Sequence, residues 1–455
     1  MPPIVIQIFL FILSLSLLIV LHEFGHYITA KWFKVRVLKF YLFFDFLFPL
    51  PEVMKFSLLK KKVGDTEYGI GWFPLGGYVQ MAGIMDESMD KEALKEPVKD
   101  YEFRAKPAWQ RLIILLGGVI VNVLLAFVIY GFVIFHWGEK SFPVENMTHG
   151  LHVSEQAKSI GLENGDIITY VEDEKVLEAG EETYMMLVKK AEEITVERNG
   201  ETIKLPIEGA FYGNLIKDLR TTSFVSPAQL PIVDTLLPGG TFGEAGAQKG
   251  DRIISVDGSP VGYFQDIPPL LQCKADQTID ITVLRGNDTI PLDVKVGEGD
   301  KIGFGPRFDF EIETVKYGFG QSMVKGVQKS MEKLDMYIDQ FALMFDKDIK
   351  GYKQIGGFGA IGGLFPKTVD WEAFWNLTAF LSIMLAFLNL LPIPALDGGH
   401  ALFTIYEMIF RRPPNEKFMA AAQMVGMGIL LVLVVFANGN DLFRAFSGSG
   451  VDPCG

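Results

Sequence analysis

Cysteine is almost absent: the 455 residues contain only Cys273 and Cys454. Two cysteines exclude a disulfide framework and any four-cysteine zinc module. One of the two stands next to the C-terminal residue, so no structural bridge is expected. A basic excess is also missing. Forty-two Lys and Arg face 55 Asp and Glu, a formal charge of −13, which argues against a nucleic-acid-binding protein. Histidine is scarce, six in all, so a pattern that uses two of them at helical spacing carries information. What the chain has in quantity is apolar: 49% of residues are hydrophobic and 13% aromatic. That excludes a disordered chain and is too apolar for an ordinary soluble enzyme.

Four uncharged runs are long enough to cross a bilayer, which takes about 20 apolar residues. They are Ile4–Leu21, Leu112–Phe135, Phe374–Leu396 and Phe418–Asn440. The first has no basic residue before it and no small-residue cleavage site after it, so it is read as a retained span and not a signal peptide. Basic residues set the orientation. Lys31, Lys34, Arg36, Lys39, Lys60, Lys61, Lys62, Arg104, Lys106 and Arg111 fall between the first two runs, and Arg411, Arg412 and Lys417 between the last two. Those loops are expected in the cytoplasm, with both termini and the long stretch between the second and third runs outside.

That outer stretch repeats itself. The segment starting at Gly161 (Gly-Leu-Glu-Asn-Gly-Asp-Ile-Ile) aligns with the one starting at Gly246 (Gly-Ala-Gln-Lys-Gly-Asp-Arg-Ile-Ile), and Ile194-Thr-Val-Glu-Arg198 aligns with Ile281-Thr-Val-Leu-Arg285. A Gly-Asp turn, an alternating strand and a charged turn in each copy read as two β-rich modules. The pattern resembles the PDZ domains of bacterial envelope proteases, which bind peptides by adding a strand to a sheet edge. Further on, Val327, Met331, Leu334, Ile338, Phe341 and Phe345 recur at helical spacing as one apolar face, expected to pack in a core against the β modules, with the membrane surface as the alternative. The expected organisation is 1–136 for the first two spans and their loop, 137–222 and 223–300 for the two modules, and 301–370 for an amphipathic helix and Gly-rich linker. Residues 371–446 hold the last two spans, and 447–455 form a disordered tail. The fold class is a multi-pass α-helical membrane protein with two PDZ-like domains inserted between the second and third helices.

The cytoplasmic loop has two unusual parts. Phe40–Pro51 is aromatic but broken by Asp45 and prolines, so it is expected to dip into the bilayer against protein. Tyr68–Met81 reads as extended chain with a Gly-Gly turn, a hairpin.

At the end of the first run stands His22-Glu23-Phe24-Gly25-His26. On a helix, positions i and i+4 lie about 40° apart around the axis, so both imidazoles can reach one metal. Glu23 is placed to take a proton from water at that metal. Ionisable groups at a membrane helix are costly and usually functional. A catalytic zinc takes a third protein ligand. His136, His149 and His152 fall outside on the orientation above. Inside, Asp397 follows Pro392 and Pro394 at the end of the third run, with His400 the competing candidate.

These motifs together resemble the site-2 proteases, specifically the bacterial regulator of sigma-E protease type. The marks are the first-span HEFGH, Asn389-Leu-Leu-Pro-Ile-Pro-Ala-Leu-Asp-Gly-Gly, the loop Phe73-Pro-Leu-Gly-Gly-Tyr-Val79, and tandem PDZ-like modules between the second and third spans. The resemblance implies an intramembrane zinc endopeptidase of the bacterial inner membrane, with its active site towards the cytoplasm and its PDZ-like domains extracytoplasmic. It implies one Zn²⁺ per chain held by His22, His26 and Asp397, Glu23 as base, and Asn389 near the substrate. The Tyr68–Met81 hairpin, through Gly77, Tyr78, Val79 and Gln80, would pair with the substrate. Implied partners are single-span membrane proteins such as anti-sigma factors or remnant signal peptides, the bilayer, and peptides at the PDZ-like domains. One departure is visible: the family's second span carries Ala-Gly-Pro where this chain has Gly117-Gly118-Val119, with Asn122 retained. Two other readings fit part of the pattern, an intramembrane metal transporter and a non-proteolytic PDZ scaffold, though no inverted repeat links the membrane halves.

Overall fold

Apolar runs this long must become helices in lipid, where every backbone group needs an internal partner. The structure, a computed structural model, describes residues 2–47, 54–74, 76–84, 97–208, 211–212, 224–297, 299–307, 312–347 and 355–448. Among them four helices are long and apolar enough to cross a membrane. The chain forms two units, one of residues 1–138, 316–338 and 355–444, the other of residues 139–315, 339–354 and 445–455.

In the first unit, α1 (Pro3–Trp32) carries the apolar run straight on through His22–His26, so the motif lies within a helix. The second run is split: α2 (Ala108–Leu115) ends at Leu116 and α3 (Gly117–Trp137) begins. Helix α4 (Phe319–Leu343) follows the β modules. The third run is shorter than expected. Helix α5 (Trp371–Leu390) stops before Pro392, and Asp397 opens a separate helix that the sequence reading did not separate, α6 (Asp397–Phe410). Helix α7 (Glu416–Gly448) carries the last run. Ser447 and Gly448, expected in a disordered tail, are helical, and 449–455 lie outside the described residues.

Between α1 and α2 is a sheet of β1 (Val37–Leu42), β2 (Ser57–Val63), β3 (Thr66–Gly71) and β4 (Tyr78–Met81), in the order β2-β3-β1-β4. This corrects the expected Tyr68–Met81 hairpin. β3 and β4 both pair with β1, in parallel and antiparallel registers, and the true hairpin joins β2 to β3. In the aromatic Phe40–Pro51 segment, Tyr41, Phe44 and Phe46 join Tyr78 in one buried cluster, and Tyr78 Oη donates to Asp45 Oδ1 at 2.9 Å, packing against protein that leaves the depth of the segment in the bilayer open. Residues 48–53 lie outside the described ones.

Of the two expectations for α4, core packing of its apolar face is not met. The helix buries Ser322, Gly326 and Ser330, not its apolar stripe. A Cβ on Gly326 would lie 2.4 Å from the Gly131 backbone nitrogen, so α3 and α4 meet backbone to backbone. Small residues at a crossing are how helices associate in membranes. Val327, Met331, Ile338 and Phe345 stay exposed, the kind of stripe that lies on a membrane surface.

The second unit has two cores, one drawn from residues 144–225 and one from 233–302. In the first, β7 (Ile167–Val171), β8 (Glu174–Lys175), β9 (Glu193–Arg198) and β10 (Glu201–Pro206) run in the order β10-β9-β7-β8. In the second, β13 (Arg252–Val256), β14 (Ser259–Pro260), β15 (Thr278–Arg285) and β16 (Asp288–Lys295) run β14-β13-β15-β16, the same sheet with its strands read from the other side. Two small pairs complete the modules: β6 (Leu151–Val153) with β11 (Val225–Pro227), and β12 (Val233–Leu236) with β17 (Phe304–Pro306). The first module therefore runs past the expected boundary at 222, and the second past 300. A stem of β5 (Glu139–Ser141) and β18 (Glu313–Val315) closes both.

The repeated residues now have a physical role. Asp166 is fully buried and receives Arg198 Nε at 2.7 Å, while Arg198 Nη2 reaches the Gly161 carbonyl. Asp251 and Arg285 repeat this at 2.8 Å, with Nη2 on the Gly246 carbonyl. Burial works to raise the Asp251 carboxyl, but bonds from Arg285 and the Gln248 amide hold it below the usual carboxylate range. A carboxyl lowered by folding stabilises the fold above its unfolded pKa and loses that contribution as pH falls through the folded value. Arg285→Gln should therefore destabilise the second module at neutral pH and shrink its stability loss on acidification, read by thermal melts across pH.

The expectation of unbridged cysteines is not met at Cys273, which is disulfide-bonded. Cys454 lies outside the described residues.

Candidate metal centre

The i, i+4 spacing in α1 does bring the imidazoles together: His22 Nε2 and His26 Nε2 are 3.3 Å apart. The start of α6 supplies the third group. Asp397 Oδ2 lies 3.2 Å from His22 Nε2 and 3.3 Å from His26 Nε2. The chain break that puts it there needs small residues. Ala395 takes a left-handed φ of 87°, and a Cβ on Gly398 would meet the Leu391 carbonyl oxygen at 2.3 Å, so α6 starts against the end of α5.

The helix crossing is built the same way. A Cβ on Gly25 would lie 2.2 Å from the Gly117 carbonyl oxygen. One on Gly118 would lie 2.5 Å from His22 Cε1 and 2.6 Å from His26 Nε2. The Gly117-Gly118-Val119 departure therefore leaves the second helix suited to the site, because both glycines allow α3 to touch α1. Gly118→Ala should displace an imidazole and lower zinc occupancy while the spans still form. Metal analysis of the purified variant, with circular dichroism to verify the helices, tests this.

The three donor atoms fit one metal ion. Donors about 2.0–2.2 Å from a tetrahedral zinc stand about 3.3–3.6 Å apart, close to the spacing found here. Partners behind them set the tautomers. His26 Nδ1 donates to the Ile114 carbonyl at 2.9 Å, which leaves Nε2 as a lone-pair donor. His22 Nδ1 lies 3.1 Å from Asn122 Nδ2, while Asn122 Oδ1 is buried without a partner. Half a turn of the amide brings Oδ1 to accept Nδ1–H, satisfies the orphaned oxygen and frees His22 Nε2 for the metal. Asp397 Oδ2 is also buried with no hydrogen-bond donor of its own. Three lone-pair atoms pressed together without a proton between them call for a cation.

These residues open on a cavity of about 420 Å³, lined also by Glu23, Gly77, Tyr78, Val79, Asn389 and His400. Gln80 is not on its wall. His400 stands outside the group of converging donor atoms, as do His136, His149 and His152. β4 is the terminal strand of its sheet, with β1 on one side and no strand on the other among the described residues. Sequence reasoning gave no role to Gly118 or to Asn122; a polar residue in an otherwise apolar span was the available signal for the latter.

A membrane-embedded zinc peptidase is the class that this helical frame and this donor set define. The chain belongs to peptidase family M50, whose sequence profile matches residues 10–433. Among its relatives is a protein of Ralstonia nicotianae, 25% identical over 97% of this chain and 99% of its own length. Relatives in Neisseria meningitidis and Vibrio cholerae are each 26% identical over 95% of this chain and 98% of their own. All three carry the provisional name of zinc metalloprotease. The protein is a zinc metalloprotease.

Proposed function

We propose that the protein is an endopeptidase that cuts transmembrane segments of single-span membrane proteins, with zinc held by His22, His26 and Asp397. The observation that carries this reading is that the three donor atoms, Glu23 and the terminal strand of a sheet share one cavity among membrane-length helices. Zinc, when bound, supplies Lewis acidity, polarising a carbonyl and making water a nucleophile at neutral pH. Glu23 accepts the proton of the attacking water and later delivers it to the leaving amine. Asn389, on the cavity wall, hydrogen-bonds the unwound substrate backbone. Gly77 lets the chain lie flat here: a Cβ would meet the Tyr41 carbonyl oxygen at 2.6 Å and Glu23 Cγ at 3.4 Å. By the resemblance stated above, the setting is regulated intramembrane proteolysis in a bacterial inner membrane, and the substrates are anti-sigma factors or remnant signal peptides already trimmed outside. The test is the purified protein in nanodiscs with a single-span model peptide, products read by mass spectrometry. Absence of cleavage together with zinc flux in liposomes would turn the reading towards a transporter.

The two β modules act, on this proposal, as PDZ-like domains outside the membrane. On the topology read from the sequence they are on the opposite side from Glu23, so they screen substrates and do no chemistry. Deleting Leu151–Arg307 while keeping the β5–β18 stem should allow substrates with large ectodomains to be cut several-fold faster. Unchanged discrimination between trimmed and untrimmed substrates would defeat the filter.

A further inference from the structure

We infer that β2 is a lipid-binding edge, in which Lys60, Lys61 and Lys62 engage anionic headgroups of the membrane surface and hold the sheet between α1 and α2 at a fixed depth. This stands apart from the peptidase reading. β2 is the end of the sheet opposite β4, and every residue from Leu58 to Val63 is exposed. Leu58 is 57% exposed, Leu59 66% and Val63 56%. No ion pair engages the three lysines among the described residues, although the chain as a whole carries −13. From Leu59 on, where the β2–β3 ladder is regular, strand alternation places Leu59, Lys61 and Val63 on one face and Lys60 and Lys62 on the other, with Leu58 in a bulge. One face therefore mixes aliphatic and cationic groups and the other is cationic beside the exposed Leu58 bulge, an edge that suits neither a core nor water.

The level of the strand is fixed by α1. Tyr27 Oη and Tyr68 Oη are 2.7 Å apart, and Lys31 Nζ donates to Thr66 Oγ1 at 3.3 Å, so β3 is tied to the last turns of α1. Thirty residues of helix are about 45 Å long against about 30 Å of hydrocarbon, which puts those turns in the headgroup layer. β2 lies one strand spacing away, about 4.8 Å. Lysines there lay their stems along acyl chains and reach phosphates with their ammonium groups. An acidic protein surface would match the charge but not the interleaved leucines at membrane level. The rival role for the lysines is to guard a free edge against strand pairing.

The experiment uses the full chain with bimane on Leu59→Cys, in nanodiscs of phosphatidylcholine alone or mixed with phosphatidylglycerol. The anionic lipid should shift bimane emission to the blue and raise its quenching by nitroxide-labelled lipid, and salt near ~0.5 M should reverse both. Each lysine removed should weaken the lipid response about fivefold. Lys60→Gln/Lys61→Gln/Lys62→Gln should abolish it, and the triple Arg variant should keep it. The inference is overturned if the probe reports the same environment in both lipids, or if the Gln triple keeps the response. Aggregation of the Gln triple equally in both lipids would overturn it in favour of edge protection.

Discussion

Alanine at His22, His26 or Asp397 should leave the purified protein with little zinc, and Glu23→Gln should keep the zinc while cleavage falls by about 10²–10⁴-fold. The two results separate binding from chemistry. Each alanine removes one of the three donor atoms that stand 3.2–3.3 Å apart, and two donors cannot close a tetrahedral site. Glu23 lines the same cavity but is not among the converging atoms, so its neutral isostere leaves the ligand set intact and removes only the base. Asn122→Ala is a milder control. It leaves the ligands in place but removes the group that fixes the His22 tautomer, which should weaken zinc about 10–100-fold. Zinc content comes from metal analysis and turnover from a membrane-peptide assay on the same preparations. Full cleavage by Glu23→Gln would end the general-base assignment, and full zinc in Asp397→Ala would move the third ligand elsewhere, with His400 the nearest alternative on the cavity wall.

Parts of this site were legible in the sequence for a local reason. His22, Glu23 and His26 belong to one helix, so their geometry follows from 3.6 residues per turn. Asp397 was legible as an acid just beyond a proline-broken span, but helix α6 that begins with it was not, because Gly398 lets it start against the end of α5 in a tertiary contact. Gly118 and Asn122 act only through where α3 crosses α1, which no periodicity reports. The sheet was misread because neighbours in sequence were taken as neighbours in space; the parallel register of Lys39 with Glu67 puts β1 between β3 and β4. The α4 stripe was found correctly, but of its two assignments the core was wrongly preferred. In water the apolar face is buried, whereas in a membrane unit the small residues Ser322, Gly326 and Ser330 make the helix contact.

That sheet order sharpens the second large effect. A helical substrate hides its scissile carbonyl behind a hydrogen bond from four residues on, and in lipid the released groups must find partners at once. With β3 inside the sheet, the strand able to offer partners is β4, whose residues Tyr78, Val79 and Met81 line the cavity. Alternate residues of a strand aim their amides at opposite edges, so of Val79 and Gln80 one serves the β1 ladder and the other faces the open edge. Proline removes an amide without touching the metal. Val79→Pro and Gln80→Pro should both keep zinc, and the one at the open edge should lose cleavage of a helical substrate by at least tenfold. A substrate with glycine or proline near the cut site is already partly unwound and should lose much less. The ratio of the two substrates, not the absolute rate, carries the test, since damage to the β1 ladder would slow both alike. If helical and helix-broken substrates fall together in both proline variants, β4 only braces α1, and the unwound strand must find its partners elsewhere in the cavity.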